Sequence, residues 1–392
     1  MDKYDIVIVG GGIQGAGVAQ AAVAAGYTVL LLEQTSIAAG TSSRSSKLIH
    51  GGLRYLESMQ FALVRQSLDE RRLMLKLAPE LVRLVPFYIP LYKNTRRRPW
   101  QIRAGLSLYA WLGGLQADNL FTLVPRHQWG SLDGLATDNL QAVFRYFDGQ
   151  TDDAALTHAV IRSAVLLGAV LEVPAEFVRA DIQADHVLVS YRDPIRELQC
   201  QAGVLVNAAG PWVNQVLDKI NPQTSQQQIE LVLGTHVRVV GTMHAGNYYM
   251  EAPQDGRAVF AMPRDGSLLV GTTETVYTGN PAAVLPVAQD QEYLLEVLAH
   301  YFPAYRQVAN RTILSSYAGL RVLPKGEGSA FNRPRDTILQ LHNGPAPRLL
   351  SIYGGKLTTW RATAAKVLQI LAPVLPVRHT RADTREIRLM VD

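Results

Sequence analysis

The sequence predicts an α/β protein that combines a mainly parallel β-sheet with a second domain of antiparallel sheet. Three observations support this: a strand–glycine–helix–strand unit at the start of the chain, two later apolar strands that each run into a small-residue turn, and hairpin signals in the third quarter of the sequence. Buried parallel strands read as continuous apolar runs, whereas hairpins are marked by tight turns. We therefore expect two sheets with different connections.

The first unit begins with an apolar run at residues 4–9, which is suited to a buried parallel strand. A G-x-G-x-x-G pattern follows at Gly10, Gly12 and Gly15, and then an alanine-rich helix to about residue 25. The first glycine permits a tight turn, the second lets the backbone approach a pyrophosphate, and the third allows close packing of helix on strand. These parts predict a Rossmann-like site with phosphates at the helix N-terminus.

The identity of the dinucleotide depends on later segments. A strand at residues 28–32 ends in Glu33, which is placed to accept hydrogen bonds from an adenosine ribose. A flavin domain also needs a later strand beside the adenosine and a final strand–helix unit that meets the isoalloxazine ring. Residues 204–212 and 349–371 are suited to these two roles. Because the segments span the whole chain, FAD is favoured over NAD.

The two predicted domains are discontinuous in sequence. An FAD-binding domain takes residues 1–75, 151–220 and 336–380, a substrate-cap domain takes residues 76–150 and 221–335, and residues 381–392 form a tail. The FAD-binding domain is expected to include a helix at 155–167 and β segments at 169–173 and 186–191. Antiparallel cap strands are expected at residues 228–240, 258–262, 268–272 and 313–322. Such a sheet can roof the flavin and form a substrate pocket between the domains.

Composition indicates an ordinary folded protein of 392 residues, with 48% hydrophobic residues and enough chain for a large core. Its single cysteine, Cys200, excludes disulfides, thiolate metal sites and iron–sulfur clusters, and we predict no metal. No apolar run approaches the roughly 18 residues that span a membrane. The first strand begins so early that we expect no leader peptide, and a location in the cytoplasm or at the cytoplasmic face of a membrane.

Three cations suggest an anionic substrate. Arg54, Arg321 and Lys356 all lie within or beside glycine-containing segments. A guanidinium can bind a phosphate or carboxylate through two hydrogen bonds, and a lysine adds a point charge. Any single one of the 38 lysines and arginines would ordinarily be a solvated cation or part of a structural ion pair. Their shared placement in such segments favours an anion site.

Two histidines are candidates for an acid–base role. His50 stands in a segment rich in hydroxyl groups, and His236 lies on a predicted cap strand. Oxidation of an alcohol needs a base to take the hydroxyl proton, and imidazole with a pKa near ~6.5 suits this task. Either histidine could instead hydrogen-bond the flavin or fix a loop, so the choice stays open. Thr272 is better suited to a pocket hydroxyl than to a base.

The segment at residues 41–57, with its many hydroxyls and a Gly-Gly step, resembles the signature of FAD-dependent glycerol-3-phosphate dehydrogenases and oxidases. Further segments resemble the family in the family's order: residues 10–17, 152–153, 207–213, 271–274, 317–323, 335–336 and 354–359. The resemblance implies an FAD-binding fold of the glutathione-reductase and D-amino-acid-oxidase type. It also implies oxidation of sn-glycerol 3-phosphate to dihydroxyacetone phosphate, with hydride passing to flavin N5 and electrons leaving to a quinone or oxygen.

The resemblance also guides the predicted site. The catalytic residues are predicted to be His50, His236, Arg321 and Lys356. The substrate is predicted to contact Arg54, Tyr55, Thr272, Arg321 and Lys356. The predicted FAD contacts are Gly10, Gly12, Ile13, Gln14, Gly15, Glu33, Thr41, Ser42, Ser46, Lys47, Leu48, His50, Gly51, Val178, Ala208, Gly210, Trp212, Gly355, Lys356, Leu357 and Thr358. Family members typically continue into a helical C-terminal domain, which we expect to be absent here.

The charge distribution bears on partners. The formal net charge is +5, and the basic residues 96–103 lead into an amphipathic stretch with tryptophan, tyrosine and leucine. This stretch suits docking on anionic lipid, or a core helix with a solvated basic N-terminus. Two other functions stay open: an FAD enzyme for another small anion, such as a 2-hydroxy acid or amino acid, and a flavin-containing RNA-modifying protein. Because the sequence offers no nucleic-acid recognition module, we predict no nucleic-acid partner.

Overall fold

The computed structural model describes residues 1–326, 337–342 and 347–391, so the predicted family segment at 335–336 lies outside the described residues. The described strands are β1 (Asp2–Val9), β2 (Val29–Leu32), β3 (Leu48–Ile49), β4 (Val82–Tyr92), β5 (Thr122–Leu123), β6 (Leu140–Thr151), β7 (Val170–Glu172), β8 (Glu176–Ile182), β9 (Val187–Arg192), β10 (Glu197–Asn207), β11 (Ile220–Asn221), β12 (Ile229–Val239), β13 (Asn247–Glu251), β14 (Ala258–Arg264), β15 (Ser267–Gly271), β16 (Thr275–Tyr277), β17 (Ile313–Pro324), β18 (Ile338–Leu341) and β19 (Leu349–Tyr353). The helices are α1 (Ile13–Ala24), α2 (Phe61–Leu77), α3 (Pro99–Leu112), α4 (Asp153–Leu166), α5 (Val213–Leu217), α6 (Ala288–Tyr301) and α7 (Trp360–Leu371).

The first sheet has the order β11-β8-β9-β10-β1-β2-β7, with β19 beside β10 and β18 beside β19. Strand β1 runs parallel to β2 and β10, and β10 runs parallel to β19. The apolar run of β1 is buried on both faces, since Ile6, Val7 and Ile8 have no exposed surface. Helices α1, α4 and α7 contribute to the core on one face. The predicted α/β fold with a parallel first unit is confirmed.

The second sheet has the order β16-β12-β15-β14-β13-β4-β6-β3, with β17 beside β12 and β5 beside β6. Strands β14 and β15 form the predicted hairpin, whose turn at Asp265 and Gly266 has positive φ angles. The predicted antiparallel cap sheet is therefore confirmed, although β4 and β13 pair in parallel. The long strands β4 and β6, each paired on both sides within this sheet, were not predicted. Strand β4 contains Pro86 and Pro90, and proline argues against a central strand.

The strands of the two sheets come from different parts of the sequence. The strands of the first sheet fall within residues 1–75, 151–220 or 336–380, except that β11 extends one residue further, to Asn221. Strand β3, which also falls within residues 1–75, pairs with β6 in the second sheet instead. The segment around residues 41–53 therefore passes from one sheet to the other, which places it where a site between the sheets would form. The domain division itself stays a prediction.

Candidate active site

The glycine loop between β1 and α1 contains two kinds of glycine. A Cβ on Gly15 would lie 1.9 Å from the Gly10 carbonyl oxygen, so packing of the loop itself requires glycine there. Gly12 has an ordinary backbone (φ −78°, ψ 178°), and an added Cβ would meet only the Ser42 Oγ, at 3.0 Å. The protein alone does not demand glycine at position 12. Close approach of a ligand does account for it, so the loop fits a pyrophosphate at the N-terminus of α1.

This difference predicts different outcomes for two substitutions. Gly12→Ala should fold like the parent yet bind FAD at least about tenfold more weakly, because the methyl group occupies the space of the pyrophosphate. Gly15→Ala should lower the melting temperature as well, because its methyl group meets backbone. Flavin titration of the apoprotein and thermal unfolding measure both effects. Gly130→Ala, where a Cβ meets nothing within 4 Å, is the control. Unchanged FAD affinity in Gly12→Ala would contradict this assignment.

Glu33 lies beside the glycine loop, on the side where the adenosine is expected. Its Oε2 accepts a hydrogen bond from the Gly11 N–H at 2.8 Å, and its Oε1 accepts one from the Thr35 N–H at 2.8 Å. The Ala175 N–H donates to the Glu33 carbonyl oxygen at 2.7 Å, so the chain that enters β8, the strand of Val178, crosses beside this acid. An adenosine bound at this edge would contact both Glu33 and Val178, as predicted for FAD.

The hydroxyl-rich segment is held to α1, to α4 and to the second sheet. The Ile13 N–H donates to the Ser42 Oγ at 2.9 Å, and the Thr41 Oγ1 donates to the Leu320 carbonyl oxygen on β17 at 2.7 Å. Lys47 forms an ion pair with Asp153 at the start of α4. The predicted FAD contacts Thr41 and Lys47 are therefore engaged with protein groups, which fixes this segment over the glycine loop.

Asp153 belongs to the segment at residues 152–153 that resembles the family, and the sequence assigns its side chain no specific contact. Its carboxylate also accepts hydrogen bonds from the N–H and the hydroxyl of Ser45, at 2.9 and 2.7 Å. The neighbouring Asp152 caps the helix by accepting from the Ala155 N–H at 2.9 Å. The two acids thus have separate tasks, and Asp153 orders the segment that carries Ser46 and Lys47.

The loop before α7 contacts both the glycine loop and the segment that contains His50. The Gln14 Nε2 donates to the Lys356 carbonyl oxygen at 3.3 Å, and a Cβ on Gly355 would lie 2.5 Å from that nitrogen. The His50 N–H donates to the Thr358 Oγ1 at 3.1 Å. Three predicted FAD-contacting segments therefore come together.

Further predicted FAD contacts lie on the segment after β10, in the loop before α7 and on β3. The Ala208 N–H donates to the Val9 carbonyl oxygen at 2.9 Å, and Gly210 has a φ of +54° in the turn that follows. The Trp212 ring lies 3.3 Å from where a Cβ on Gly40 would be. Leu357 packs against the core to which α1, α4 and α7 contribute, and Leu48 is buried at the start of β3.

The three predicted anion-binding cations are gathered by the cap sheet and two loops. The Arg321 Nη2 donates to the Thr272 Oγ1 at 3.4 Å, and the Lys356 Nζ lies 4.1 Å from the centre of the Tyr55 ring. Glu274 links two of the cations, since its Oε1 is 3.2 Å from the Arg321 Nη1 and 3.5 Å from the Arg54 Nη1. The sequence analysis gave Glu274 no role. An acid two residues after Thr272, in a predicted pocket segment, was the available signal.

The sequence of this chain is similar to the sequences of known proteins. Residues 5–361 match the family described as FAD dependent oxidoreductase (DAO). The chain belongs to this family. It is 38% identical over 380 residues to a glycerol-3-phosphate dehydrogenase of Pseudomonas aeruginosa, covering 95% of this chain and 72% of the relative. It is 34% identical over 381 residues to a D-erythritol 1-phosphate dehydrogenase of Brucella abortus, covering 96% and 75%.

Solved structures agree with this family membership. The FAD complex of a glycerol-3-phosphate dehydrogenase from Bacillus halodurans is similar, with a TM-score of 0.74, 27% identity and coverage of 99% of this chain and 68% of that one. A glycine oxidase from Geobacillus kaustophilus shares the fold, with a TM-score of 0.73, 20% identity and coverage of 100% and 99%. The chain is an FAD-dependent oxidoreductase of the predicted fold. Because an amino-acid oxidase shares the fold, the substrate must be argued from the site.

The family assignment does not by itself give the histidines a role, and the structure separates them. His236 is buried on β12, stacks on the Tyr317 ring at 4.9 Å between centres, and places its Nε2 2.9 Å from the Ser46 Oγ. Burial, with smaller contributions from Arg321 and Lys47, lowers the pKa of His236 to about 3. Such an imidazole is neutral at pH 7 but a weak proton acceptor. The expectation of a base with a pKa near neutrality is therefore wrong for His236.

The lowered pKa of His236 predicts a pH dependence of stability. In the unfolded chain a histidine has a pKa near ~6.5, so between about pH 6.5 and pH 3 the unfolded state binds a proton that the folded state does not. The free energy of unfolding should therefore fall by about 2 kcal/mol as the pH is lowered from 7 to 5. His236→Gln should lose most of this decline in denaturant titrations, whereas the exposed His127→Gln should keep it. An identical decline in His236→Gln would refute the assignment.

A buried ionic cluster supports the loop after His50. The Gly51 N–H lies 3.0 Å from the Tyr109 hydroxyl and 3.3 Å from the Asp148 Oδ1, and donates to both. The Tyr109 hydroxyl donates to the Asp148 Oδ2 at 2.8 Å, and the fully buried Arg71 donates to the Asp148 Oδ1 at 2.8 Å. A Cβ on Gly51 would lie 2.4 Å from the Tyr109 oxygen, so only glycine can occupy this position of the loop. The cluster fixes His50 against Thr358.

Proposed function

We propose that the protein oxidises sn-glycerol 3-phosphate to dihydroxyacetone phosphate. The observation that carries this proposal is the convergence of Arg54, Arg321 and Lys356: the two arginines share Glu274, and Arg54 and Lys356 both lie over the Tyr55 ring. Three cations suit a phosphate dianion better than the single charge of a carboxylate. Relatives named glycerol-3-phosphate dehydrogenase, at 38% and 36% identity, support the same substrate.

The side chains divide the work of binding. The two guanidinium groups and the Lys356 ammonium would hold the phosphate through charge-assisted hydrogen bonds, and Thr272, 3.4 Å from Arg321, offers a hydroxyl to the polyol. Lys356 also connects to the glycine loop through its carbonyl oxygen, so substrate and cofactor sites share one loop. FAD, when bound, supplies the hydride acceptor. Holding the phosphate at a fixed point orients the C2 hydrogen relative to that acceptor.

We propose His50 as the residue that takes the C2 hydroxyl proton. His236 is buried and its pKa is lowered to about 3, which makes it a poor acceptor at neutral pH. His50 is only partly buried, and its backbone N–H is tied to Thr358 in the loop before α7. The buried cluster below Gly51 keeps this backbone in place. His236 would then position Ser46 rather than move protons.

A steady-state comparison of substrates tests the proposed activity. The holoenzyme is assayed with a dye acceptor against sn-glycerol 3-phosphate, D-erythritol 1-phosphate, L-lactate and glycine. We expect sn-glycerol 3-phosphate to give the highest kcat/KM and the two carboxylates to give almost none. A higher kcat/KM for the tetritol phosphate would favour the activity named for the relative from Brucella abortus. A carboxylate as the best substrate would overturn the proposal.

We propose that the electrons leave to a membrane quinone and that the protein works on the cytoplasmic face of the membrane. The support is α3, which packs through Ile102 and Leu106 but leaves Trp100 70% and Trp111 65% exposed. A core helix with a solvated end would not expose two tryptophans, whereas indole rings beside arginines suit the interface of an anionic bilayer. Within the described residues, no helix is long and apolar enough to span a membrane.

Vesicle sedimentation tests the membrane proposal. The holoenzyme should bind vesicles of phosphatidylcholine with phosphatidylglycerol more strongly than vesicles of phosphatidylcholine alone, and added salt should weaken the binding. Substitution of both Trp100 and Trp111 by alanine should abolish it. Leu166→Ala and Val308→Ala, at side chains 79% and 83% exposed outside α3, should not. Absence of binding, or equal loss in the controls, would reject docking through α3.

A further inference from the structure

Glu274 is an acid that lies between two arginines, Arg54 and Arg321, of the proposed anion site. We infer that Glu274 is the counter-charge of the anion site: it holds Arg54 and Arg321 together and limits how tightly the site binds a phosphate. This inference rests on the proposed function for the identity of the substrate. It does not depend on turnover, because it concerns how an anion binds.

The geometry places one carboxylate oxygen between two guanidinium groups. The Glu274 Oε1 is 3.2 Å from the Arg321 Nη1 and 3.5 Å from the Arg54 Nη1. The three side chains are 6%, 24% and 19% exposed, respectively, so their charges are only partly screened by solvent. Two guanidinium groups this close would repel each other without the acid. The carboxylate therefore gives both arginines a defined position before any substrate arrives.

The loop that carries Glu274 is held in place by the carboxylate of Asp290. Asp290 on α6 is buried and accepts hydrogen bonds from three threonine hydroxyls: Thr235 at 2.7 Å, Thr273 at 2.7 Å and Thr275 at 3.1 Å. Thr273 and Thr275 flank Glu274 in sequence, so both sides of the acid are tied to the same carboxylate. The Glu274 carbonyl oxygen also accepts a hydrogen bond from the Arg257 Nη1 at 3.1 Å. This backbone is not free to carry the acid away when an anion binds.

A fixed carboxylate beside the anion site has an electrostatic cost for the ligand. A phosphate bound by Arg54 and Arg321 would lie close to the negative charge of Glu274, and like charges at such distances repel in a partly desolvated site. The acid thus improves geometry and reduces affinity at the same time. Lower affinity for the anion shared by substrate and product raises KM and favours release of product without a gain in the chemical step.

Isothermal titration of the holoenzyme with inorganic phosphate tests this inference. Glu274→Gln keeps an oxygen acceptor for both arginines but removes the charge, so we expect phosphate to bind about tenfold more tightly. Glu274→Asp, which keeps the charge, should restore affinity towards that of the parent. Glu292→Gln, an exposed acid on α6 with the same change in net charge, is the matched control and should bind like the parent. Unchanged or weaker phosphate binding by Glu274→Gln would overturn the inference.

Kinetics with sn-glycerol 3-phosphate give a second readout. In Glu274→Gln we expect KM to fall by about the same factor as the phosphate dissociation constant, with kcat unchanged or lower. A merely structural role would raise KM and lower the melting temperature instead. If the parent does not oxidise sn-glycerol 3-phosphate at all, the proposed function fails. The phosphate titration still decides the role of Glu274 in that case.

Discussion

Arg321→Ala should lower kcat/KM for sn-glycerol 3-phosphate by about a thousandfold, which corresponds to about 4 kcal/mol of lost transition-state stabilisation. Arg321 lies on β17, where pairing with β12 fixes its backbone opposite Val232. Its guanidinium is already ordered by Glu274 and Thr272, so little conformational entropy is lost on binding a phosphate. Removing it also leaves the buried Glu274 with less compensation, which further disfavours an anion.

The flavin should remain bound in this variant, because Arg321 belongs to the cap sheet and not to the glycine loop or the loop before α7. The measurements are steady-state kinetics and the absorbance ratio of flavin to protein. Arg83→Ala, at an exposed arginine on β4 of the same sheet, should behave like the parent. Lys356→Ala should likewise raise KM or abolish turnover. Parent-like activity in both Arg321→Ala and Lys356→Ala would show that the anion site lies elsewhere.

Arg71→Met should reduce the free energy of unfolding by about 3–5 kcal/mol, the usual consequence of removing one partner of a buried ion pair. Arg71 has no exposed surface, and its guanidinium donates to the Asp148 Oδ1 at 2.8 Å and the Asp118 Oδ2 at 2.9 Å. Asp148 in particular raises the pKa of Arg71 above its ordinary value, against the opposing effect of burial, so the arginine stays charged. Without it, Asp148 remains as a buried carboxylate that has lost the charge of Arg71.

Denaturant and thermal unfolding measure the effect of Arg71→Met. Arg65→Met, at an exposed position on the same helix, should change stability by less than about 0.5 kcal/mol. Because Asp148 accepts from the Gly51 N–H, the variant should also show a lower kcat in the fraction that remains folded. Equal stability of Arg71→Met and Arg65→Met would mean that the cluster does not support the loop.

The sequence predicts the first unit of this protein well because local constraints coincide there. An apolar run, three glycines required by packing or by the approach of a ligand, and an acid at the end of the next strand leave few alternatives. Residues that act across long distances in sequence were harder to assign. Arg71, Tyr109 and Asp148 come from three elements, and nothing local marks Arg71 as buried rather than as one more solvated arginine of a charged helix.

The predicted site shows the same contrast. Arg54, Arg321 and Lys356 were chosen because they accompany glycine-containing segments, and the structure brings them together. The sequence assigns Glu274 no role, and the position of its carboxylate between two arginines from distant segments becomes visible only in the structure. His236 was given the pKa of an ordinary imidazole, whereas burial against Tyr317 and two nearby cations lowers that pKa. Such an effect of the surroundings cannot be predicted from one sequence position.

The most direct test of the central claim is an anaerobic absorbance titration of the purified holoenzyme with sn-glycerol 3-phosphate. Our account predicts that the flavin band near ~450 nm bleaches as the substrate is added, because hydride transfer to the flavin needs no external acceptor. The same titration of Arg321→Ala should show a flavin that dithionite reduces but the substrate does not. A parent flavin that dithionite bleaches and sn-glycerol 3-phosphate leaves oxidised would contradict the account.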